Sequence, residues 1–514
     1  MPKQKLQIKE IDEPFVNIAI DTINKNKQAL IFTATKAGAE SCADKIARHL
    51  KDDSALHELS EKILHTLAIP TRQCERLSKS ARKGVVFHHA GLHHKQRELI
   101  EDHFRESKIK IICCTPTLAA GVDLPAFRTI LKDLKRYNGN WGMSWIPVLE
   151  YQQMAGRAGR PGKEDFGEAI AIATAENEKE NLYDKYIIGE VEDIYSKLAV
   201  EPVLRIYTLS LIATEIVSTK KQLFDFFKRT FWAFQYKDTK KIEKIINKMI
   251  SLLSEFGFVE KKNPDFVTAD KIENEKLEAT LLGKRVAQLY IDPLTAHNLI
   301  LGIKKASKKP SDFSLLQLIS FQLELRPLIR VKKSDYEKAN ERVAGEDFLI
   351  SIPEIYDPFY SDFLDSIKTA MFFQEWIGEK TEEWILENYN IRPGEIKVKI
   401  DNADWLLYAL EELTRIMQRN ELLKEIIKLR IRIKEGVKEE LIPLLQLKGI
   451  GRVRARKLFK NKITDLKDVK SATITTLSEI VGAKTAVKIK EQVGEKVEVV
   501  PENKRKGQMS LRDY

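Results

Sequence analysis

Cysteine is scarce in this sequence, since its 514 residues include only four. No two of them have the Cys-x-x-Cys spacing of a zinc or redox site, which argues against a disulfide scaffold and a cysteine-based metal centre. Long apolar runs are also missing, because no stretch approaches the roughly 18 residues that a membrane span requires. The amino-terminal residues are polar and lysine-rich, unlike a signal peptide. These features predict a cytoplasmic protein with reduced thiols and no membrane partner.

Charge of both signs is abundant. The sequence has 86 lysines and arginines against 75 aspartates and glutamates, which gives a formal net charge of +11. This excess favours a polyanionic partner, although dense mixed charge is also typical of a thermophile's surface. The hydrophobic content of 43% suffices for buried cores. The length predicts about three to five domains.

Two segments in the first third of the chain carry the strongest chemical signal. Lys110-Ile-Ile-Cys-Cys114 is short enough for a buried strand and continues as Thr115-Pro-Thr-Leu-Ala-Ala-Gly-Val-Asp-Leu-Pro. In the second segment, Arg157 and Arg160 are three residues apart, which predicts one face of a helix. Two guanidiniums so close repel each other, and a polyphosphate bound between them removes that repulsion. The alternative is a solvated basic helix, which the glycines and the proline around the two arginines disfavour.

These segments resemble known motifs. Thr115–Asp123 and Gln153–Arg160 are similar to motifs V and VI of superfamily 2 helicases. Ala29–Thr35 and His89-Ala-Gly-Leu92 resemble the earlier motifs of the same second RecA-like domain. With Ile146–Glu150 ahead of the arginines, nearly the whole chain resembles the archaeal Hjm-type DNA repair helicases, relatives of the Ski-like RNA helicases and of the helicase part of DNA polymerase theta. The resemblance implies a nucleoid-associated, ATP- and Mg²⁺-dependent enzyme that moves 3′ to 5′ on DNA and repairs stalled forks.

The predicted fold class is multidomain, α/β plus α. Alternating strands and helices predict a parallel sheet covered on both faces, with active groups at the carboxyl ends of its strands. The predicted strands are Gln28–Ala34, Val85–His88, Ile109–Cys114 and Glu168–Ala173. The resemblance implies five parts: a second RecA-like domain (1–197), a winged helix (198–300), a helical ratchet bundle (301–432), a helix-hairpin-helix domain (433–500) and a flexible tail (501–514).

The resemblance also implies roles for residues of the first part. Arg157 and Arg160 would stabilise charge on the transferring phosphoryl group, and Gln153 would position the nucleotide. The residues expected to line the nucleotide site are Gly121, Asp123 and Gly156. Thr115 would contact the DNA backbone.

A projecting hairpin is predicted between these motifs. Apolar and polar residues partly alternate over Thr129–Trp141, and Asn138-Gly139 is a favoured type I′ turn dipeptide. Such a hairpin could carry Lys135, Arg136 and Tyr137 between paired bases, and an ordinary loop is the alternative. The resemblance favours the strand-separating hairpin.

A single helix is predicted from Asn402 to about Arg432. Its apolar stripe is Leu406, Leu410, Leu413 and Met417. A different face carries Trp405, Tyr408, Glu412, Arg415 and Arg419, which suits bases stacking along a single strand. Packing of the tryptophan against a neighbouring domain is the alternative. The family's arginine seven positions before this tryptophan is Val398 here, so Lys397 and Lys399 are the candidate phosphate contacts.

A helix-hairpin-helix is predicted at Leu447–Leu458. Gly449 and Gly451 would let backbone N–H groups approach a phosphate, while Arg452 and Arg454 are candidate DNA contacts. A weaker second copy lies at Ile480–Ala486. In the tail, Gln508, Leu511 and Tyr514 are spaced like a peptide that docks on the sliding clamp PCNA, although the usual second aromatic residue is absent. The histidines between His88 and His103 lack accompanying carboxylate or cysteine ligands, so no metal site is predicted.

Half of the expected motor is missing from the sequence. It contains no Gly-x-x-x-x-Gly-Lys-Ser/Thr and no Asp-Glu-x-His-like motif after a strand. A split motor with a separate chain carrying the first RecA-like domain, a truncated product and a motor without ATPase activity are all consistent with this. Because the motifs that contact the nucleotide and DNA are retained, the sequence favours a split motor that acts on single-stranded and forked DNA and is inactive alone. A non-catalytic nucleic-acid clamp or adaptor and an RNA helicase subunit remain the alternatives.

Overall fold

The computed structural model describes residues 7–495, apart from residues 138–141, 161, 163 and 263–274. The chain divides into two compact units, Met1–Ala287 with Thr381–Lys399 and Gln288–Lys380 with Ile400–Tyr514. The strands are β1 (Ala29–Phe32), β2 (Val85–His88), β3 (Ile111–Cys114), β4 (Arg128–Leu131), β5 (Lys135–Tyr137), β6 (Met143–Trp145), β7 (Glu168–Ala171), β8 (Val259–Lys262) and β9 (Lys276–Ala279).

The helices of the first half of the chain are α1 (Pro14–Asn24), α2 (Lys36–Arg48), α3 (His57–Leu64), α4 (Arg72–Ala81), α5 (His94–Arg105), α6 (Thr117–Gly121), α7 (Val148–Ala155), α8 (Glu176–Leu182), α9 (Glu201–Ala213), α10 (Lys220–Lys228), α11 (Phe231–Tyr236) and α12 (Thr239–Glu255). Those of the second half are α13 (Leu281–Leu289), α14 (Pro293–Lys305), α15 (Asp312–Ser320), α16 (Tyr336–Gly345), α17 (Tyr360–Ile377), α18 (Glu382–Tyr389), α19 (Pro393–Ile416), α20 (Leu423–Glu435), α21 (Arg452–Lys460), α22 (Leu466–Ser471), α23 (Ile474–Val481) and α24 (Ala483–Gln492). No helix in the described part of the chain combines the length and apolarity of a membrane span.

The predicted parallel sheet is confirmed. Its strand order is β2-β3-β1-β4-β7, and every neighbouring pair is parallel. Every residue of β1, β2, β3 and β4 is buried, so both faces of the sheet are covered, as expected for a parallel sheet. Only the edge strand β7 is partly exposed. The sheet and its helices share one apolar core that reaches from Phe15 to Tyr186.

Strand β4 corrects the sequence interpretation. The sequence predicts a single hairpin over Thr129–Trp141, but Thr129–Leu131 belongs to β4, an interior strand of the sheet. The hairpin is a separate antiparallel pair, β5 with β6, with Lys135 opposite Trp145 and Tyr137 opposite Met143. The predicted turn dipeptide, residues 138–139, lies outside the described residues.

The winged-helix fold follows the sheet. Helices α9, α10 and α12 precede the antiparallel pair β8 and β9, in which Val259 lies opposite Ala279. An isolated bridge between Thr219 and Lys276 ties the start of α10 to this pair. This order of four helices, with α11 between α10 and α12, and a two-stranded antiparallel pair agrees with the predicted winged helix.

The predicted helix from Asn402 to Arg432 is wrong in its length. Helix α19 ends at Ile416, Gln418 has a φ of 57°, and a short 3-10 turn precedes α20, which begins at Leu423. A left-handed residue cannot continue a right-handed helix, so the chain turns there. The predicted helix-hairpin-helix and its second copy form a tandem with its own apolar core, in which Gly449 and Gly482 have φ values of 92° and 86°.

Candidate nucleic-acid and nucleotide interfaces

A cleft of about 610 Å³ opens at the carboxyl edge of the sheet. Residues that follow β1, β3 and β4 meet there because the carboxyl ends of parallel strands share one edge. Its polar lining includes Thr35, Lys36, Thr115, Thr117, Asp133, Arg136, Glu150, Asn390 and Arg392. The Thr115 and Thr117 hydroxyls are 2.9 Å apart. The sequence predicted only Thr115 and Arg136 among these as contacts to DNA.

A buried carboxylate lies behind this cleft. Glu40 on α2 is 5% exposed and accepts hydrogen bonds from Gln73 Nε2 at 2.9 Å, Arg76 Nη1 at 2.7 Å and Arg392 Nε at 3.1 Å. His89 Nε2 lies 3.3 Å from the same carboxylate. Burial alone would raise the pKa of Glu40, but the hydrogen bonds from His89 and Gln73 and the charge of Arg392 lower it to about 2. Because these partners come from segments far apart in the chain, Glu40 connects α2 to α4 and to the segment that contains Arg392.

Glu40 gives a prediction of pH dependence. A carboxylate whose pKa is lower in the folded state contributes stability above its ordinary value of 4.5 and loses that contribution as the pH falls through about 2. We expect Glu40→Gln to destabilise the protein above pH 5 by up to about 3 kcal/mol, and the gap to narrow towards pH 2. Urea unfolding of both proteins at a series of pH values measures this gap. A gap that stays constant over the whole pH range contradicts the assignment.

The described part of the hairpin has an exposed end and an anchored base. Tyr137 and Met143 face each other at the exposed end and are 69% and 63% exposed. Lys135 is held at the base, where its Nζ lies 2.9 Å from Glu178 and 4.1 Å from the centre of the Trp145 ring. Hydrogen bonds from Lys135 and Thr174 lower the pKa of Glu178 to about 2. Lys135 therefore anchors the hairpin, which leaves Tyr137 as the predicted residue best placed to meet a base.

The two arginines of the Gln153–Arg160 segment do not share a helix face, which corrects the sequence interpretation. Helix α7 ends at Ala155, and the chain from Arg157 to Gly159 runs beside Ala126. Arg157 bonds to the carbonyl of Ala119 through Nε at 3.2 Å and lies 3.1 Å from Asp123 through Nη1. The predicted motif V and motif VI segments are thus brought together.

Arg160 has a different environment. Its Nη2 lies 2.8 Å from Glu164, its Nη1 bonds to Gln28, and its side chain is 14% exposed. Burial would raise the pKa of Glu164, but the hydrogen bond and charge of Arg160 outweigh burial and lower it. Carboxylates therefore neutralise both arginines in the protein itself, so the repulsion inferred from their spacing is absent.

A surface suited to a nucleotide remains around Arg157. The predicted residues that are exposed there are Gly121, Asp123, Gln153 and Gly156. The Asp123 side chain is 92% exposed and that of Arg157 is 23% exposed. Among the described residues, no group of three or more histidine, cysteine, aspartate or glutamate side chains could hold a metal ion. These residues fit contacts to a phosphate and a ribose, while the described part of the chain offers no cluster for Mg²⁺.

The predicted DNA-binding face of α19 is partly engaged by the protein. Trp405 is half-buried, and its indole N–H donates to the carbonyl of Leu289 at 2.9 Å. Arg419 donates to the carbonyls of Ile303 and Ala306, at 3.1 Å and 3.0 Å, and so satisfies the end of α14. Arg415 is exposed and lies 2.7 Å from Glu411. Trp405 and Arg415 keep surface that a strand can reach, whereas Arg419 has a structural role.

Trp405 provides a prediction. We expect Trp405→Ala to weaken binding of a single-stranded oligothymidine about tenfold, since stacking on an aromatic ring contributes about 1–3 kcal/mol per base. Trp405→Phe keeps a ring face and loses the indole N–H, so its affinity should stay within about threefold of the wild type. Fluorescence anisotropy measures both. An alanine variant with unchanged affinity, or a phenylalanine variant as weak as alanine, contradicts a stacking role.

The cations of the first helix-hairpin-helix are not all available to DNA. Arg452 donates to the carbonyl of Lys380 and lies over the Trp376 ring at 4.8 Å. Arg456 pairs with both Glu379 and Glu440. Arg452, a predicted DNA contact, and Arg456 therefore have structural partners within the protein. Arg454, Gly449 and Gly451 are exposed and remain the candidate backbone contacts.

The two lysines predicted to contact phosphates differ in exposure. Lys397 is exposed on the first turns of α19, while Lys399 is half-buried and burial lowers its pKa. The predicted clamp-binding residues Gln508, Leu511 and Tyr514 lie outside the described residues. The Lys36, Glu40 and Arg392 cluster was missed in the sequence because its members are far apart in the chain and match no local spacing.

A RecA-like parallel sheet with contacting motif V and VI segments, followed by a winged helix, a helical bundle and a tandem helix-hairpin-helix, defines the carboxyl-terminal part of an archaeal superfamily 2 DNA helicase. Four family descriptions match in order: Helicase conserved C-terminal domain (residues 12–162), Helix-turn-helix domain (167–260), Archaeal helicase, domain 4 (313–436) and SAM-like Helix-hairpin-helix tandem (441–495).

Similar proteins named ATP-dependent DNA helicase Hel308 include those of Methanocella arvoryzae (38% identical over 97% of this chain and 67% of the relative) and Pyrococcus horikoshii (37% over 95% and 67%). A third, from Methanococcus vannielii, is 36% identical over 91% of this chain and 66% of the relative. The chain thus spans about two-thirds of the length of these curated relatives. It belongs to the Hel308 family of archaeal DNA helicases.

Proposed function

We propose that this chain is the DNA-gripping part of an ATP-dependent 3′-to-5′ DNA helicase for fork repair and recombination, and that a separate chain supplies the first RecA-like domain. One observation carries the proposal. Arg157 and Asp123 form an exposed phosphate-compatible surface, while the sequence contains no Gly-x-x-x-x-Gly-Lys-Ser/Thr to hold the phosphates and no acidic motif to hold Mg²⁺.

Each part of the chain has a task in this motor. Arg157 stabilises negative charge on the transferring phosphoryl group, and Gln153 and Asp123 contact the nucleotide that the partner domain holds together with Mg²⁺. Thr115 contacts the DNA backbone in the cleft, and Tyr137 meets the first base pair of the fork. Trp405 holds a base of the translocated strand, and the helix-hairpin-helix tandem grips backbone without reading sequence.

The test uses forked DNA with either a 3′ or a 5′ single-stranded arm. The chain is mixed with a polypeptide that carries the first RecA-like domain, encoded in the same genome, and strand separation is followed in the presence of ATP. The proposal expects separation only with the mixture and only with the 3′ arm. Separation that requires the 5′ arm contradicts the proposed polarity.

A non-catalytic nucleic-acid clamp is the second candidate, and the environment of Arg160 favours it. Glu164 and Gln28 satisfy this arginine without a nucleotide. A non-catalytic clamp binds DNA with a steep salt dependence and no response to nucleotide, even with a partner present.

An RNA helicase subunit would instead prefer single-stranded RNA to forked DNA. If the tail docks on the sliding clamp PCNA, Tyr514→Ala lowers the affinity of this chain for PCNA and leaves its affinity for DNA unchanged.

A further inference from the structure

We propose that Tyr290, in the turn between α13 and α14, is a second aromatic side chain on which a base of single-stranded DNA stacks, next to Trp405. This inference rests on the proposed function, because it takes single-stranded DNA as the ligand. No motif in the sequence pointed to Tyr290.

The backbone of Tyr290 has an unfavourable conformation. Helix α13 ends at Leu289, and Tyr290 follows it with a φ of 57°. Glycine or asparagine is usual at this place after a helix, because a left-handed φ brings the Cβ of other residues too close to the backbone. Of the non-glycine residues with positive φ in the described part of the chain, Tyr290 is the only aromatic one. A strained position that keeps a bulky side chain indicates that the side chain has a function.

The core of the protein does not use the ring of Tyr290. Its neighbours Leu289 and Ile291 are 5% and 2% exposed, whereas Tyr290 is 77% exposed. The apolar packing of the turn therefore comes from the residues on either side. The ring of Tyr290 is open to solvent and available to a ligand.

Trp405 lies beside the same turn. Its indole N–H donates at 2.9 Å to the carbonyl of Leu289, which belongs to the peptide bond that joins Leu289 to Tyr290. This hydrogen bond and standard bond lengths place the Cα of Tyr290 within about 6 Å of the Trp405 Nε1. Two aromatic side chains this close together suit neighbouring bases of a single strand, since every base has a ring face that can stack.

A buried carboxylate fixes the turn relative to α19. Glu324 accepts hydrogen bonds from the backbone N–H of Asp292 at 2.8 Å and from the hydroxyl of Thr295 at 2.7 Å. Its own backbone carbonyl accepts from Asn402, one helical turn before Trp405, at 2.8 Å. Burial raises the pKa of Glu324, because the two donors offset the loss of solvent only in part. The turn is thus linked to α19 at two points, which holds the two aromatic side chains near each other before a strand binds.

The test uses a substitution that suits the backbone and removes the ring. Asparagine tolerates a left-handed φ, so Tyr290→Asn should keep the turn, and its urea midpoint should equal or exceed that of the wild type. The affinity of the full chain for a fluorescent oligothymidine is measured by anisotropy at several salt concentrations. We expect Tyr290→Asn to weaken binding about tenfold, the loss of one stacked base. The slope of log affinity against log salt should stay unchanged, since a stacked ring neutralises no phosphate.

Two further variants are the controls. Tyr290→Phe keeps the ring and should bind oligothymidine within about threefold of the wild type. Tyr356→Asn removes a tyrosine that is 96% exposed elsewhere in the same compact unit, and its affinity should remain near that of the wild type.

Several results would overturn the assignment of Tyr290. Unchanged affinity in Tyr290→Asn does so, as does a Tyr290→Phe variant that binds as weakly as Tyr290→Asn. Weaker binding by Tyr290→Asn together with a lower urea midpoint gives Tyr290 a structural role instead, and an equal loss in Tyr356→Asn shows that the effect is not specific to the turn. Failure of the wild-type chain to bind oligothymidine contradicts the proposed function itself.

Discussion

Arg157→Ala is expected to reduce DNA-stimulated ATP hydrolysis by the assembled two-chain motor at least about 10³-fold. An arginine that reaches a transferring phosphoryl group from another domain or chain contributes about 10³- to 10⁵-fold to the rate. The position of Arg157 fits this role, because Asp123, its ion-pair partner, is 92% exposed and lies on the surface open to a partner domain. The measurement is steady-state ATP hydrolysis by the mixture at saturating forked DNA.

Arg160→Ala is the matched comparison. Arg160 is more buried and is held by Glu164 and Gln28, so its loss should lower the free energy of unfolding as well as the rate. Arg157→Ala should lower the free energy of unfolding less than Arg160→Ala, because the ion pair with the exposed Asp123 contributes about 0–1 kcal/mol and the hydrogen bond to the Ala119 carbonyl about 1 kcal/mol. If Arg157→Ala hydrolyses ATP at the wild-type rate in the mixture, Arg157 does not act on the nucleotide.

Arg128→Ala is expected to lower the free energy of unfolding by about 3–5 kcal/mol, the usual cost of removing one partner of a buried ion pair. Arg128 begins β4 and is fully buried. Its guanidinium pairs with Asp21 and Glu168 and donates to the Thr22 hydroxyl at 3.0 Å. Without it, Asp21 on α1 and Glu168 on β7, whose side chains are 22% and 17% exposed, lose their cation where water solvates them poorly. Urea unfolding followed by circular dichroism measures the change.

Arg105→Ala provides the control for Arg128. Arg105 also contacts two carboxylates, Asp102 and Glu101, but its side chain is 48% exposed. Water and salt screen such a pair, so the control should change stability by about 1 kcal/mol or less. Equal effects of the two substitutions would show that burial does not set the cost and would contradict the role given to Arg128.

The sequence predicted best where local pattern and burial coincide. Val85–His88 is a strand in the structure with the same bounds, because a short apolar run between polar segments has few other conformations. The sequence predicts Thr129–Leu131 as part of the hairpin, whereas these residues lie in β4, since the ion pairs that bury Arg128 at its start join segments far apart in the chain. The break after Ile416 was missed because nothing in the apolar stripe marks the left-handed Gln418.

The candidate sites likewise contain some residues that motif spacing predicts and others that only the folded chain brings together. Motif spacing identified Thr115, Asp123 and Arg157, and the structure brings the last two into contact. Spacing could not show that Arg160 bonds to Gln28, 132 residues away, or that Arg392 bonds to Glu40 across 352 residues. Such pairs depend on how the segments pack, and packing is set by the whole fold.

The central claim is a motor divided between two chains, and ATP turnover tests it most directly. Hydrolysis is measured with forked DNA for this chain alone and during titration with a polypeptide carrying the first RecA-like domain. The account predicts no turnover above background for the chain alone and a rise that saturates as the two chains reach equal amounts. Turnover at an ordinary helicase rate by the pure chain, or no turnover with any such partner, would contradict it.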